Sequence, residues 1–327
     1  MHILEPDREH LHGMFSPLLP PIATIESGDR VRCRTLDVSW GLEARRPDTP
    51  WRETVQPREQ PRDSGPCLLG PIAVAGAEPG DMLEVHLEKI VPGPWGWTFG
   101  GDIGFFNSDL NRRLGVADGD ALTLRWEIDV DRGIAASHLG HIVPIRPFLG
   151  TLGLCPAPES RPEHLSPDGN WVSAWPPGRT LGNTDCPDLI EGSRLFIPVE
   201  VPGALLSLGD GHAAQGDGEI SGTAIEVPMQ QVDLHITLHK GTNLTGPRAV
   251  TPAGDVTFGF AEDLDDAIAE GVNAMLDWME EEDFSSRKEA IAILSSTADV
   301  RISQLVNGVR GVHVVRRRVE RIGAENG

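Results

Sequence analysis

The sequence is poor in basic residues, and this shortage excludes some classes of partner. Lysine and arginine together number 28 against 49 aspartates and glutamates, so the formal net charge is −21. Because affinity for nucleic acids depends on clustered basic side chains, neither DNA nor RNA is an expected partner. A net charge of this sign and size also repels anionic membrane surfaces.

Long apolar runs and paired cysteines are missing as well. No stretch of about 18 apolar residues occurs, so no transmembrane helix is predicted, and the charged start MHILEPDREHLHG lacks the apolar run of a secretory signal. The four cysteines are widely spaced and form no Cys-x-x-Cys pair, which gives no support to a zinc ribbon or a thioredoxin-like motif. These features predict a cytoplasmic protein with reduced thiols and without a membrane partner.

Glycine and proline, by contrast, are abundant, and they separate many short apolar runs. The chain has 37 glycines and 27 prolines, and such punctuation is typical of many short strands. In one run, Leu83, Val85 and Leu87 alternate with polar residues and would share one face of a strand. This pattern predicts a β-sandwich or barrel for the first half of the chain.

The second half begins with strands and then changes character. Val232 to Leu238 alternate apolar and polar residues, as in a half-buried strand. Apolar residues with helical spacing predict a helix over 262–282, and a second helix should begin near Ser286, with Glu289 completing a capping box. A last strand is expected over 311–319.

These patterns predict a β-rich mixed α/β fold in three units. Residues 1–155 would form a β-sandwich-like unit, residues 156–245 a second β-rich unit, and residues 246–327 an α+β unit. Two segments, 45–65 and 156–179, have the composition of long surface loops. Such loops are often lids or binding loops, but they can also be merely mobile, and the composition leaves both possibilities open.

The segment GDGHAAQGDGEISG, residues 209–222, concentrates the ionisable residues of the second half. Asp210 and His212 are two positions apart, as are Asp217 and Glu219, so each pair projects to one face of an extended backbone. A turn between the pairs would bring them together. Carboxylates with an imidazole suit Zn²⁺, Mn²⁺ or Fe²⁺ better than Ca²⁺. The alternative is a solvated Gly/Asp hairpin without a ligand.

Other catalytic motifs are absent from the sequence. There is no EF-hand order, no Walker A loop and no Gly-x-Ser-x-Gly nucleophile elbow. Cys186 follows Asp185, but an acidic neighbour raises the pKa of a thiol, which makes Cys186 a poor nucleophile.

Taken together, several blocks of this chain resemble the acetamidase/formamidase family. The most characteristic block is VPGALLSLGDGHAAQGDGEISGTAIE at 201–226, and the others are GPIAVAGAEPGD at 70–81, PFLGTLG at 147–153, GNTD at 182–185 and STADVRISQLVN at 296–307. Their order and spacing agree with the family over nearly the whole chain. Leu181 stands where the family has the first of two glycines, and the stretch 95–110 matches least well.

The resemblance implies hydrolysis of a small aliphatic amide to a carboxylate and ammonia, assisted by a divalent metal ion, with zinc as the expected metal. As hypotheses, Asp185, Asp210 and His212 would bind the metal, and Glu219 would be the general base and acid. Two further residues would contact the substrate amide or its oxyanion, namely Asn183 and Gln215.

The resemblance also carries over two further acidic residues and an assembly state. Asp217 would assist catalysis by orienting His212, and Glu226 would either belong to the site or only anchor the next strand. A homo-oligomer, either a dimer or a trimer, is implied. The competing hypothesis is a non-catalytic protein of the same fold that binds a metal or a small ligand.

Overall fold

The computed structural model of the chain describes residues 1–46, 52–102, 104, 108–282, 284 and 286–318. Its strands, in chain order, are β1 (His2–Leu4), β2 (Leu11–His12), β3 (Met14–Phe15), β4 (Ala23–Ile25), β5 (Arg30–Thr35), β6 (Leu68–Val74), β7 (Met82–Pro92), β8 (Trp95–Gly100), β9 (Leu122–Asp129), β10 (Ile134–Ser137), β11 (Ile142–Pro144), β12 (Phe148–Leu154), β13 (Val172–Ser173), β14 (Leu181–Asn183), β15 (Arg194–Pro198), β16 (Leu206–His212), β17 (Glu226–Val227), β18 (Met229–His239), β19 (Arg248–Thr251), β20 (Gly254–Ala261), β21 (Ala298–Gln304) and β22 (Arg310–Arg316). The α-helices are α1 (Ser108–Arg113), α2 (Leu264–Glu281) and α3 (Arg287–Thr297), and single 3₁₀ turns lie at Arg8–His10, Pro158–Ser160 and Pro162–His164.

One sheet has nine strands in the order β1-β5-β18-β7-β15-β19-β20-β22-β21. Its pairs are antiparallel except for β1 with β5. Burial alternates along β5, where Val31, Cys33 and Thr35 point inward while the residues between them are exposed. This is the period of two expected of a sheet with one face on the core and one in water.

The second sheet has eleven strands, and its central part is fully enclosed. Strands β11-β10-β9-β8-β17-β16-β12-β14 follow one another, and β6 pairs with β16 and also with β2 and β4. Every residue of β6, β12 and β16 is buried. One hydrophobic cluster holds side chains from both sheets, for example Val31 and Leu83 from the first and Leu69 and Leu208 from the second. The sheets therefore pack on each other, and the predicted β-rich mixed fold is confirmed.

The helices lie near the end of the chain, as their apolar spacing predicts. The side chain of Asp263 accepts hydrogen bonds from the first backbone N–H groups of α2, and Ser286 Oγ accepts one from the N–H of Glu289 at 3.2 Å. These caps satisfy N–H groups that lack a partner within the helix. Helices α2 and α3 form a separate apolar cluster with Val314 of β22. The predicted last strand ends at Arg316, and Val319 lies outside the described residues.

The nine-stranded sheet takes strands from all three predicted units, since β1, β5 and β7 lie in 1–155, β15 and β18 in 156–245, and the rest in 246–327. The boundaries near 155 and 245 therefore do not coincide with a boundary between sheets, and the division into units stays a prediction. Of the predicted long loops, residues 47–51 lie outside the described part of the chain. Among the described helices, none combines the length and the apolar character that crossing a membrane requires.

Candidate active site

The segment 209–222 contributes three side chains to a buried ionisable cluster. Asp210 and His212 lie at the end of β16, and Glu219 lies in the loop that follows. Asp185 follows β14, and Glu226 opens β17, where it is the direct cross-strand partner of His212. None of these five residues is more than 7% exposed. The turn after β16 folds back over the strand and brings Glu219 to Asp210 and His212, whereas Asp217, the remaining member of the two predicted pairs, does not join them.

The imidazole of His212 stands at the centre of this cluster. Its Nε2 lies 3.2 Å from Asp210 Oδ1 and 3.3 Å from Glu226 Oε2. The other ring nitrogen, Nδ1, lies 3.9 Å from Asp185 Oδ1. The ring of Phe148 meets the imidazole at 90° with 5.0 Å between the centroids, which limits its rotation. The two nitrogens therefore face different carboxylates.

Two residues that sequence analysis missed hold the carboxylates in place. Thr151 Oγ1 lies 2.6 Å from Asn183 Oδ1 and 3.1 Å from Asp210 Oδ2, and its single proton is donated to the nearer oxygen, that of Asn183. Asn307 donates from Nδ2 to the carboxylate of Asp185 and to the backbone oxygen of Asn183. Both residues lie in blocks that carry the family resemblance, 147–153 and 296–307, and that was the signal available for finding them.

Gly150 of β12 forms the floor of the cluster. A Cβ atom placed there would lie 2.5 Å from Asp185 Oδ1, 2.6 Å from His212 Cε1 and 2.7 Å from Asp210 Oδ2. Ordinary van der Waals contacts are longer than these distances. Glycine at this position is therefore what lets three ionisable side chains meet over the strand.

The backbone is left-handed at three of the ionisable residues. The φ angles are 46° at Asp185, 55° at Asp210 and 47° at Glu219. Leu181, which replaces a glycine of the family pattern, also has a positive φ, 63°. Such conformations cost free energy for residues other than glycine and often occur at functional sites.

Burial and mutual repulsion shift the pKa values of the cluster. Burial, followed by the charge of Asp210, raises the pKa of Asp185 to about 7. Burial likewise raises the pKa of Glu226 to about 7 and that of Glu219 well above its usual value. Burial alone would lower the pKa of His212, but the carboxylates of Glu226 and Asp210 outweigh it and raise that pKa. Burial and mutual repulsion thus favour the protonated forms of these carboxyl groups, which share the site with one imidazole.

The donor atoms of the cluster suit a divalent cation. Asp185 Oδ1, His212 Nδ1 and Glu226 Oε2 are buried and have no hydrogen-bond partner among the described residues. Ligand atoms of Asp185, His212 and Glu219 lie within 4.8 Å of one another, and so do those of Asp210, His212 and Glu226. Carboxylates with an imidazole are suitable ligands for zinc. The predicted ligand set of Asp185, Asp210 and His212 stays a prediction, with Asp185 next to Nδ1 of the imidazole and Asp210 next to Nε2.

Two predicted site residues lie outside the cluster. Gln215 donates from Nε2 to the backbone oxygens of Asp185 and Ser303, at 2.8 and 3.1 Å, so its amide braces the loop. The carboxylate of Asp217 is bound by Arg301 through two hydrogen bonds of 2.7 and 2.8 Å. That side chain is 36% exposed. Asp217 therefore does not orient His212, because its carboxylate is turned to the surface.

The cluster opens into a cavity of about 270 Å³. Its polar end is formed by Asn183, Asp185, Asp210, Glu219, Glu226 and Asn307. The other wall is aromatic and consists of Trp40, Trp97, Phe99 and Trp175. Both predicted long loops reach the cavity, since Arg58 and Gly65 come from the first and Trp175 from the second.

A second buried network lies directly after Asp185 in the chain and is centred on Asp188. Its carboxylate accepts a hydrogen bond from Arg146 at 2.6 Å and another from Arg301, and His313 Nε2 lies 3.5 Å away. Burial alone would raise the pKa of Asp188, but His313 and Arg146 hold it at about 2. Burial would lower the pKa of His313, but Cys186 and Asp188 raise it to about 9.

This network predicts a loss of stability in mild alkali. An unfolded histidine has a pKa of about 6.5, so the raised pKa of His313 stabilises the fold below that pH and stops doing so as the pH rises through 9. The free energy of unfolding, measured with urea from pH 6.5 to 9.5, should fall by up to about 3 kcal/mol more in the native protein than in His313→Gln. Equal pH slopes in the two proteins would contradict the assignment.

The chain is similar to known proteins over most of its length. The model of the Acetamidase/Formamidase family matches residues 2–172 and 169–314, so the chain belongs to that family. The chain is 28% identical over 279 residues to an acetamidase of Mycolicibacterium smegmatis, and the match covers 70% of this chain and 66% of that protein. The chain thus spans slightly less than two thirds of that relative.

Solved structures agree with this placement over almost the whole chain. A recombinant predicted acetamidase/formamidase from Thermoanaerobacter tengcongensis superposes with a TM-score of 0.79 at 26% identity, covering 96% of this chain and 95% of that one. An acetamidase from Bacillus halodurans gives 0.78 at 28% identity, covering 95% and 96%. The family resemblance drawn from the sequence motifs is confirmed.

Proposed function

We propose that this protein hydrolyses the C–N bond of a small linear amide to a carboxylate and ammonia. The observation that carries the proposal is the buried cluster of four carboxylates around His212, which opens into a cavity with an amide side chain, Asn183, at its polar end. Amide hydrolysis needs a polarised carbonyl, an activated water and a proton for the departing nitrogen. The cluster offers groups for each of these tasks, and membership of the family supports the assignment.

The proposal includes a divalent cation, with zinc as the expected metal. Asp185 Oδ1 and His212 Nδ1 would hold it, since both atoms are buried, unpartnered among the described residues and 3.9 Å apart. When bound, such an ion polarises a carbonyl oxygen and lowers the pKa of water to about 7. Asp210 and Glu226 would then accept the N–H of His212 Nε2 and fix the ring, the role that the sequence suggested for Asp217.

Glu219 is the proposed proton carrier. Its carboxylate lines the cavity, and within the described part of the chain no group donates a hydrogen bond to it. It is therefore free to take a proton from the attacking water and to deliver it to the departing nitrogen. Asn183 Oδ1 is occupied by Thr151, which leaves its Nδ2 to donate to the substrate carbonyl.

Ammonia release from formamide and acetamide tests the proposal. The purified protein should lose at least about 100-fold in rate after chelation, because a Lewis acid supplies several kcal/mol and each 1.36 kcal/mol is tenfold. Zn²⁺, Mn²⁺ and Fe²⁺ added back separately should restore activity to different extents. Unchanged turnover by protein shown to be metal-free would exclude the cation.

The second candidate is a binding protein of the same fold without catalysis. The poorly matching stretch 95–110 favours this candidate, because it contributes Trp97 and Phe99 to the cavity wall. Metal-replete protein that releases no ammonia from any amide, small or large, would support this candidate and contradict the first.

The proposed location is the cytoplasm, and the proposed assembly is a dimer or trimer. All four cysteines are buried and free, as in a reducing compartment. Apolar side chains are exposed on and near the outermost strands of the eleven-stranded sheet, namely Leu122, Val130, Leu139 and Ile142, and exposed apolar patches often mark interfaces. A monomer mass in light scattering would contradict the assembly.

A further inference from the structure

The aromatic end of the cavity identifies the acyl side of the substrate. We propose that the preferred substrate is a primary amide whose acyl group is uncharged, apolar and larger than acetyl, such as a benzoyl or branched alkyl group. This inference rests on the proposed amide hydrolysis at the cluster around His212. It concerns the acyl group of the substrate, which lies away from the C–N bond that is broken.

The size of the cavity is the first step. Its volume of about 270 Å³ approaches the roughly 300–1,000 Å³ of sites that enclose drug-sized ligands. An acetyl group adds a single methyl carbon to the amide. With such a substrate held at the carboxylates, most of the cavity would contain only water next to aromatic carbon, an unfavourable contact that an apolar group would replace.

The chemistry of the wall is the second step. The indole N–H of Trp40 donates to the backbone oxygen of Gly65 at 3.1 Å, and that of Trp97 donates to Asp37 Oδ2 at 2.7 Å. Both polar handles are therefore used within the protein, and Phe99 has none. The guanidinium of Arg45 lies 4.3 Å from the ring centroid of Trp97 and 4.8 Å from that of Phe99, so it covers part of both rings. The aromatic surface that remains for a ligand is carbon, which suits an aryl or alkyl group.

The charges around the cavity are the third step. Arg58 is the only cationic side chain among the described residues that line it. Its guanidinium lies 4.7 Å from the centroid of Trp40 and donates to the backbone oxygen of Asp63 at 3.1 Å. It is thus held against the wall, while the opposite end carries four carboxyl groups. These carboxyl groups would repel an anionic substrate from the cavity as a whole, so an uncharged acyl group is favoured.

Phe99 and Trp175 are the aromatic residues accessible from the cavity. Both are partly exposed, whereas Trp40 and Trp97, although they also line the cavity, are only 0% and 2% exposed. Shortening Trp175 should therefore remove contact area for a large acyl group. It should not affect a substrate that reaches only the polar end.

The experiment compares kcat/KM for formamide, acetamide, isovaleramide and benzamide. The kcat/KM for benzamide or isovaleramide should be at least tenfold higher than that for acetamide, because one methylene in an apolar pocket changes kcat/KM by about 10- to 200-fold. Trp175→Ala should lower the value for the larger amides at least tenfold and leave acetamide within about threefold. Trp171→Ala is the matched control, since Trp171 belongs to the same loop but does not line the cavity.

Acetamide turnover also reports whether each variant is folded, and Phe99→Leu provides a second test should Trp175→Ala fail to fold. Acetamide turnover equal to or faster than that of both larger amides would overturn the inference, as would an equal loss for all amides in Trp175→Ala.

Binding of benzamide and acetamide to Glu219→Gln separates the two proposals. Benzamide that binds at least tenfold tighter without any turnover in the native protein would refute hydrolysis but support the apolar wall. Equal affinity of Glu219→Gln for benzamide and acetamide would refute the proposed apolar acyl site but not the proposed hydrolysis.

Discussion

Glu219→Gln is expected to lower kcat for amide hydrolysis by about 10²–10⁴-fold, the usual contribution of a positioned acid or base. The amide keeps the size of the side chain but cannot accept a proton from water. Because Asp185 and His212 are the proposed ligands, the variant should still bind one divalent cation. Steady-state ammonia release and elemental analysis of the purified variant measure the two quantities.

Asp217→Asn is the matched control for this variant. It removes a carboxylate two positions away, in the same loop, where an exposed ion pair with Arg301 is expected to contribute at most about 1 kcal/mol. Its turnover should stay within a few-fold of the native value. If Glu219→Gln turned over amide at the native rate with its cation bound, the proton would be carried elsewhere. If instead it lost the cation, Glu219 would be a ligand.

Gly150→Ala is expected to have a comparable effect on activity, although it alters no ionisable group. The added methyl would approach Asp185, Asp210 and His212 to within 2.7 Å or less, so these side chains must move. A displacement of about 1 Å in a catalytic group can cost 10²-fold in rate, and we expect at least that loss of kcat. Overpacking should also cost about 1–3 kcal/mol of stability.

Gly246→Ala separates the crowding from the general effect of replacing a glycine. A Cβ at Gly246 meets nothing within 4 Å, so this variant should keep native turnover and stability. Cation affinity should fall in Gly150→Ala and not in Gly246→Ala, which isothermal titration with Zn²⁺ can measure. Native activity in Gly150→Ala would mean that the cluster tolerates a rearrangement and that its geometry is not what catalysis requires.

Local patterns were sufficient for the elements and for part of the site. The period of β18, the apolar spacing of α2 and the cap at Ser286 are properties of neighbouring residues, and all three were predicted. The pairing of Asp210 with His212 followed from their separation along an extended strand. These inferences needed no knowledge of which strands are adjacent.

The remaining features depend on contacts between distant parts of the chain. Glu226 meets His212 because β17 lies beside β16, and Asn307 reaches Asp185 from the turn between β21 and β22. The partner of Asp217 is Arg301, 84 residues further on, which explains why its predicted contact with His212 was wrong. Which carboxylate faces which nitrogen of His212 likewise depends on how the strands are arranged, and the sequence alone does not contain that information.

The left-handed backbone at Asp185, Asp210 and Glu219 has a consequence for how this protein trades stability against reactivity. The conformation of each such residue costs about 1–3 kcal/mol of folding free energy. The crowded carboxyl groups also repel one another at the same site. The reactive centre therefore opposes folding locally. The buried strands β6, β12 and β16 provide the compensating cohesion, so the rigidity of the sheets is a condition for keeping an energetically unfavourable arrangement ready to react.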